Sequence, residues 1–184
     1  PIATPPHTRV IASVPPRRPR PADPCTMVIF GAGGDLTKRL IVPALYNLSR
    51  TRLLPEHFAV VGVDLAAGDT TGWRKHLHDM LEQFVGNTGA EFDVQRIDED
   101  AWRRLAERMS YLQGDLTKPE TYAALHDALD KAEKAHGTEG NAFFYLAVGD
   151  RFFAAVVDQL GRAKLTEEPG GKNDKHAFWR RVVI

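Results

Sequence analysis

Thr26-Met27-Val28-Ile29-Phe30-Gly31-Ala32-Gly33-Gly34-Asp35-Leu36-Thr37-Lys38-Arg39 is the stretch on which the fold turns. Thr26 to Phe30 is an uncharged, mostly apolar run ended by Gly31, short enough for a strand buried on both faces, and such strands belong to parallel sheets. After the glycines, Leu36, Leu40, Ala44 and Leu48 recur every four residues, with Ile41 and Leu45 widening the stripe. That spacing predicts an amphipathic helix with the stripe turned inward, kinked at Pro43. Phe58 to Val63 is a second apolar strand, so the order is strand, glycines, helix, strand: a βαβ unit.

Further along, Trp73, Leu77, Met80, Leu81 and Phe84 mark a second helix behind Asp69 and Thr70, and Trp102, Leu105, Ala106 and Met109 a third. Tyr111 to Gln113 reads as a short strand. Tyr122, Leu125 and Leu129 lie on a fourth helix that starts near Pro119, a proline tolerated in a first turn. Ala142 to Val148 is a strand, and Phe152, Phe153, Val156, Val157 and Leu160 form a fifth helix. Thr166 to His176 is a polar loop, followed by a strand at Arg181 to Ile184. Strands alternating with helices predict an α/β fold with a doubly wound, mostly parallel sheet, a Rossmann-type dinucleotide-binding domain spanning residues 26–184.

Composition agrees. The 184 residues carry 24 Lys+Arg against 24 Asp+Glu and are 43% hydrophobic, enough to build a core without disulfides or metal. Zero net charge removes the broad cationic field of a nucleic-acid binder, and no apolar run approaches the roughly 18 residues of a membrane span. The lone Cys25 suits a reducing, cytoplasmic setting and is read as a passive residue ahead of the first strand. Residues 1–24 hold eight of the twelve prolines and four arginines against one acid, Asp23, so residues 1–25 are expected to be a flexible tail. His76 and His78, two apart on a helix, point to different sides and are read as solvated rather than metal-binding.

Between strand and helix, Gly31, Ala32, Gly33 and Gly34 let the backbone turn tightly and approach a pyrophosphate, whose charge the helix N-terminus stabilises through free N–H groups. The third glycine of G-x-G-x-x-G is replaced by Leu36, so the motif is partial. Its competitor is an ordinary strand-to-helix turn with Asp35 as N-cap. Lys38 and Arg39 favour the first reading, because cations in a first turn oppose the helix dipole unless an anion lies nearby. A Walker-A loop fails on spacing. Asp64, at the end of the second strand, is placed to accept hydrogen bonds from an adenosine ribose, or it merely caps the loop ahead of Ala66-Ala67-Gly68. Asp115, in Gly114-Asp115-Leu116-Thr117, either lines an adenine pocket or turns the chain.

The ordered combination Val28 to Arg39, Pro43, Leu53-Leu54-Pro55, Val60-Val61-Gly62, Phe144-Tyr145-Leu146-Ala147 and Phe178 to Ile184 resembles the start of the glucose-6-phosphate dehydrogenase family. The resemblance implies a domain that binds NADP, sometimes NAD. It implies a full-length, homo-oligomeric enzyme that oxidises glucose 6-phosphate to 6-phosphogluconolactone at the entry to the pentose phosphate pathway. It places the coenzyme on Gly31, Ala32, Gly33, Gly34, Asp35, Leu36, Thr37, Lys38, Asp64, Tyr145, Leu146 and Ala147. The family's His–Asp catalytic pair, its Lys-Pro segment and its dimerisation domain would lie beyond Ile184, leaving no catalytic residue in this chain.

Three departures from the family pattern stand out. Leu40 replaces a commonly basic residue, a proline after Tyr145-Leu146-Ala147 is absent around Gly149-Asp150, and Asp64-Leu65 stands where NADP-using members carry an Arg. A carboxylate there repels a 2′-phosphate, so the local chemistry leans to NAD while the family leans to NADP. Two other readings remain at this point. A short-chain dehydrogenase or epimerase needs Tyr-x-x-x-Lys, which none of Tyr46, Tyr111, Tyr122 and Tyr145 provides; a noncatalytic nucleotide-binding module needs nothing further.

Overall fold

The computed structural model describes residues 22–86, 94–168 and 178–184. Five strands form one sheet, β1 (Cys25–Phe30), β2 (Phe58–Asp64), β3 (Met109–Gln113), β4 (Ala142–Leu146) and β5 (Arg180–Val183). Their spatial order is β3-β2-β1-β4-β5 and every pairing is parallel. The helices between them are α1 (Val42–Arg50), α2 (Thr70–Phe84), α3 (Glu99–Ala106), α4 (Pro119–His136) and α5 (Phe153–Arg162). The expected doubly wound sheet is therefore present.

Alternation along the strands divides the core in two. Cys25, Met27 and Ile29 of β1, with Phe58 and Val60 of β2, face the layer holding Leu45 and Tyr46 of α1, Leu77 and Leu81 of α2 and Trp102 and Leu105 of α3. Val28 and Phe30 point the other way, to Tyr122, Leu125 and Leu129 of α4 and Val156 and Leu160 of α5. All six residues of β1 are buried, as expected for a central strand covered on both faces. The free edge of β3 is closed by α2: the Tyr111 amide donates to Thr70 Oγ1 at 3.0 Å, and Arg74 Nε donates to the Met109 carbonyl at 3.0 Å.

The structure corrects several boundaries. β1 opens at Cys25, one residue inside the expected tail; the rest of that tail up to residue 21 lies outside the described residues, as does most of the expected 166–176 loop. Met109 starts β3 instead of extending α3, because Arg103 and Leu105 carbonyls already receive the amide of Glu107 that ends the helix. β4 stops at Leu146, and α5 begins at Phe153 behind a 3-10 turn, Asp150–Phe152.

The largest correction concerns the first helix. Leu36, Leu40 and Leu48 are exposed, 38%, 51% and 38%, and Ala44 is exposed too. The inward face is one residue later: Thr37, Ile41, Leu45 and Ser49, joined by Val42 and Tyr46. Two of these are polar but satisfied, since Thr37 Oγ1 donates to the Gly31 carbonyl at 2.8 Å and Ser49 Oγ to the Ala101 carbonyl at 2.8 Å. Pro43 does not break the helix. The backbone stays helical through Ile41 and Val42, and a π turn over Thr37–Ile41, with the Val42 amide bonded to the Thr37 carbonyl, stands immediately ahead of the proline.

Candidate functional site

β1 sits where the strand order reverses, with β2 and β3 on one side and β4 and β5 on the other. In open α/β sheets ligands bind in the crevice beyond the carboxyl ends of such strands. Gly31 follows β1 with φ +89, and a Cβ there would lie 2.3 Å from the Ala147 carbonyl oxygen. Glycine is thus required twice, for the left-handed backbone and for the close approach of the loop to the end of β4.

The loop's own amides are fully used. Gly31 and Ala32 N–H both donate to the Val63 carbonyl, at 2.9 and 3.1 Å, and Gly34 N–H donates to the Gly31 carbonyl at 3.0 Å. Gly33 N–H donates to Asp64 Oδ2 at 2.7 Å. The first bond of the following helical segment runs from Lys38 N–H to the Gly34 carbonyl at 3.2 Å. The amides of Asp35, Leu36 and Thr37 therefore precede the intrahelical ladder, and they are the donors that an anion at this end would meet. Asp35 is not the N-cap; its carboxylate pairs with Arg39 at 2.7 Å on the exposed side. Pairing with Asp35 also compensates Arg39 locally, whereas Lys38 has no ion pair among the described residues.

Beneath the loop, the Ala32 carbonyl accepts from Trp73 Nε1 at 3.0 Å, and the Trp73 ring lies 5.7 Å from that of Tyr111. Asp64 spans the loop and the turn that follows β2, its second oxygen accepting from the Ala66 amide at 3.2 Å. Tyr111 joins this cluster by donating its hydroxyl to the Ala66 carbonyl at 2.6 Å. Burial first, and the Asp64 carboxylate second, hold the Tyr111 phenol above its ordinary pKa. Leu65, the neighbour of Asp64, is 66% exposed.

Of the twelve residues expected at the coenzyme, Gly31, Gly33, Gly34, Asp35, Leu36, Lys38 and Asp64 lie at the loop and the strand ends beside it. Ala32 and Thr37 are buried and hold the loop from below. Tyr145 is partly buried on the α1 face of β4, opposite Ile29, while the Leu146 and Ala147 side chains are buried, which leaves them no side-chain contact to offer a coenzyme. Trp73 and Tyr111 were not expected there, and nothing in their spacing separates them from ordinary core aromatics. Asp115 closes a local turn, accepting from the Thr117 amide at 2.8 Å and hydroxyl at 2.7 Å. His78 is only partly exposed: its ring lies 5.5 Å from that of Trp102 at a tilt of 56°, and its Nε2 lies 3.1 Å from Glu99 Oε1. Burial pushes the Cys25 thiol up to about 11, with Asp23 adding to the shift, which fits a passive role.

A glycine turn at the switch point of an all-parallel 3-2-1-4-5 sheet, with a carboxylate ending the second strand, defines a nicotinamide-dinucleotide-binding domain. The family model for "Glucose-6-phosphate dehydrogenase, NAD binding domain" matches residues 28–184. The chain belongs to that family. Similar proteins include the glucose-6-phosphate 1-dehydrogenase of Chlamydia pneumoniae, 31% identical over 90% of this chain and 30% of the relative. Glucose-6-phosphate 1-dehydrogenase 2 of Mycobacterium tuberculosis is 34% identical over 91% and 30%. The crystal structure of glucose-6-phosphate 1-dehydrogenase from Mycobacterium avium superposes with a TM-score of 0.66 at 27% identity, over 88% of this chain and 29% of that one. The chain thus spans about 30% of the length of these relatives. No helix among the described residues is long and apolar enough to cross a membrane.

Proposed function

We propose that this chain is the coenzyme-binding part of an enzyme that oxidises glucose 6-phosphate to 6-phosphogluconolactone, with NAD accepted alongside or ahead of NADP. The loop at Gly31–Gly34, pinned at the switch point with three helix amides left for an anion, carries the binding reading. Family membership and the names of the relatives support the substrate and the reaction. When bound, the coenzyme supplies the hydride acceptor.

The chain's own residues do the rest of the binding work. The amides of Asp35, Leu36 and Thr37 face the pyrophosphate, Lys38 adds a nearby cation, and Thr37 holds the turn through the Gly31 carbonyl. Asp64 Oδ1 and Oδ2 each accept one backbone N–H and keep a lone pair for the adenosine ribose hydroxyls. Tyr145, at the end of β4, lines the crevice toward the nicotinamide half. The base that takes the sugar hydroxyl proton lies, by the family resemblance, in the part beyond Ile184, so we expect this chain to bind coenzyme without turning over substrate. Homo-oligomerisation and a cytoplasmic location of the full-length protein belong to the same reading.

Coenzyme choice rests on Asp64 and Leu65. A 2′-phosphate would meet the Asp64 carboxylate and find no charge on Leu65, and Arg39 is already paired with Asp35. A charge-assisted contact to phosphate is worth on the order of 1.5–3 kcal/mol, roughly ten- to a hundredfold in affinity. The test is a pair of calorimetric dissociation constants, for NAD and NADP, on the parent and on Asp64→Ala/Leu65→Arg. The double change is expected to move preference toward NADP at least tenfold. An unchanged ratio would show that neither side chain reaches the ribose.

A further inference from the structure

Opposite the glycine loop lies a cleft of about 430 Å³ that the coenzyme reading does not use. Its walls come from the turn after α1 (Arg52), from α3 (Arg104), from the approach to β3 (Arg108) and from the approach to β2 (Glu56), over an apolar floor that includes Leu54 and Leu105. Glu56 and Arg108 precede the amino ends of β2 and β3, whereas the loop follows the carboxyl end of β1. A seven-residue strand such as β2 separates the two ends by roughly 20 Å. The cleft and the dinucleotide crevice are distinct places.

Three guanidiniums and one carboxylate line this cleft, and none of the four takes part in an ion pair among the described residues. Arg108 is anchored: its Nη1 donates to the carbonyls of Pro55 at 3.3 Å and Glu56 at 2.5 Å, and among the described residues its other N–H groups have no hydrogen-bond partner. Arg104 feels Asp98, but that carboxylate is held low first by the Ala101 amide, and Arg104 is a lesser influence on it. Arg52 stands at φ +55 in a turn closed by its own amide on the Ser49 carbonyl at 3.2 Å. In a chain with no net charge, this is a local excess of positive charge, with planar forks suited to phosphoryl oxygens.

We infer that the cleft is a second anion site for a small molecule carrying one or more phosphoryl groups, held by Arg52, Arg104 and Arg108. Its volume falls in the usual range for small-molecule sites, about 300–1,000 Å³. Three cations against one acid leave two charges over, an excess that a single phosphoryl group, carrying about −1.5 to −2 at pH 7, already balances. The inference is independent of coenzyme binding.

Inorganic pyrophosphate is the probe, followed by calorimetry and by the arginine Nε–Hε NMR signals of the whole chain. Sulfate at equal ionic strength is the control for screening. Saturable binding that shifts the Arg52 and Arg104 signals is expected, persisting when the loop is altered by Gly34→Val. Arg52→Gln/Arg104→Gln should weaken it at least tenfold while leaving dinucleotide affinity unchanged; if the double variant does not fold, Arg52→Gln alone, on an exposed turn, should weaken it severalfold. The proposal is overturned if pyrophosphate shifts only the amides of residues 35–37, if sulfate reproduces the arginine shifts, or if the folded variants bind pyrophosphate like the parent. It is equally overturned if these arginines respond to anionic vesicles or oligonucleotides and not to pyrophosphate.

Discussion

Gly31 shows how little latitude single residues have at the crevice. Alanine there would adopt a left-handed backbone, costing roughly 1–2 kcal/mol, and drive its Cβ to 2.3 Å from the Ala147 carbonyl. We expect Gly31→Ala to lose at least about 2 kcal/mol in urea unfolding and to weaken coenzyme binding in the fraction that folds. Cys25 gives a pH test. Its thiol is raised to about 11 when folded, above the ordinary value of 9.0, so the native state holds the proton more tightly than the unfolded chain. That contribution is complete below about pH 9 and is lost as pH rises toward 11. The parent should therefore lose more stability than Cys25→Ala between pH 9 and 11, and parallel curves would contradict it. The glycine turn after β1 was legible in the sequence because a left-handed backbone and a close approach demand that residue type at Gly31. That Asp64 reaches back to the Gly33 amide, 31 residues away, was not, because only the sheet brings the ends of β1 and β2 together.

The first helical segment separates pattern from packing. Leu36, Leu40, Ala44 and Leu48 form the more hydrophobic four-residue stripe, yet the stripe beginning at Thr37 is the one buried. Hydropathy misled because Thr37 and Ser49 look polar until their hydroxyls find the carbonyls of Gly31 and Ala101. The π turn added a shift that no periodicity in the sequence announces. Two substitutions distinguish the faces: Leu45→Ala, at a position 6% exposed, should cost about 2–5 kcal/mol, while Leu40→Gln, at 51% exposure, should change unfolding free energy by less than about 0.5 kcal/mol. Equal losses would mean that the outer stripe is covered. The strands were easier to read, since continuous Val, Ile and Phe runs between turn residues leave few alternatives in an α/β chain. Only their ends moved, as at Met109 and Leu146.

At the scale of the molecule, the doubly wound sheet places its switch point between β1 and β4, and everything proposed for the coenzyme follows from that placement. The doubly wound, mostly parallel architecture was legible from the alternation of strand and helix patterns, whereas the strand order and the full use of the loop's amides needed three dimensions. The chain spans about 30% of the length of its relatives, and the proposed reading gives it coenzyme binding without turnover. An absorbance assay for reduced nicotinamide with glucose 6-phosphate should show no turnover by this chain alone, and measurable turnover would place the proton-abstracting group within its 184 residues. The most direct measurement is calorimetric titration of the parent chain and of Gly34→Val with NAD and NADP, with cooperative thermal melts to establish that both are folded. A valine side chain at position 34 would stand between the Gly31 carbonyl, 3.1 Å from its Cβ, and the pyrophosphate path. The account predicts one dinucleotide bound per parent chain and none by the folded variant. Absence of binding by the parent, or equal binding by the two, would contradict it.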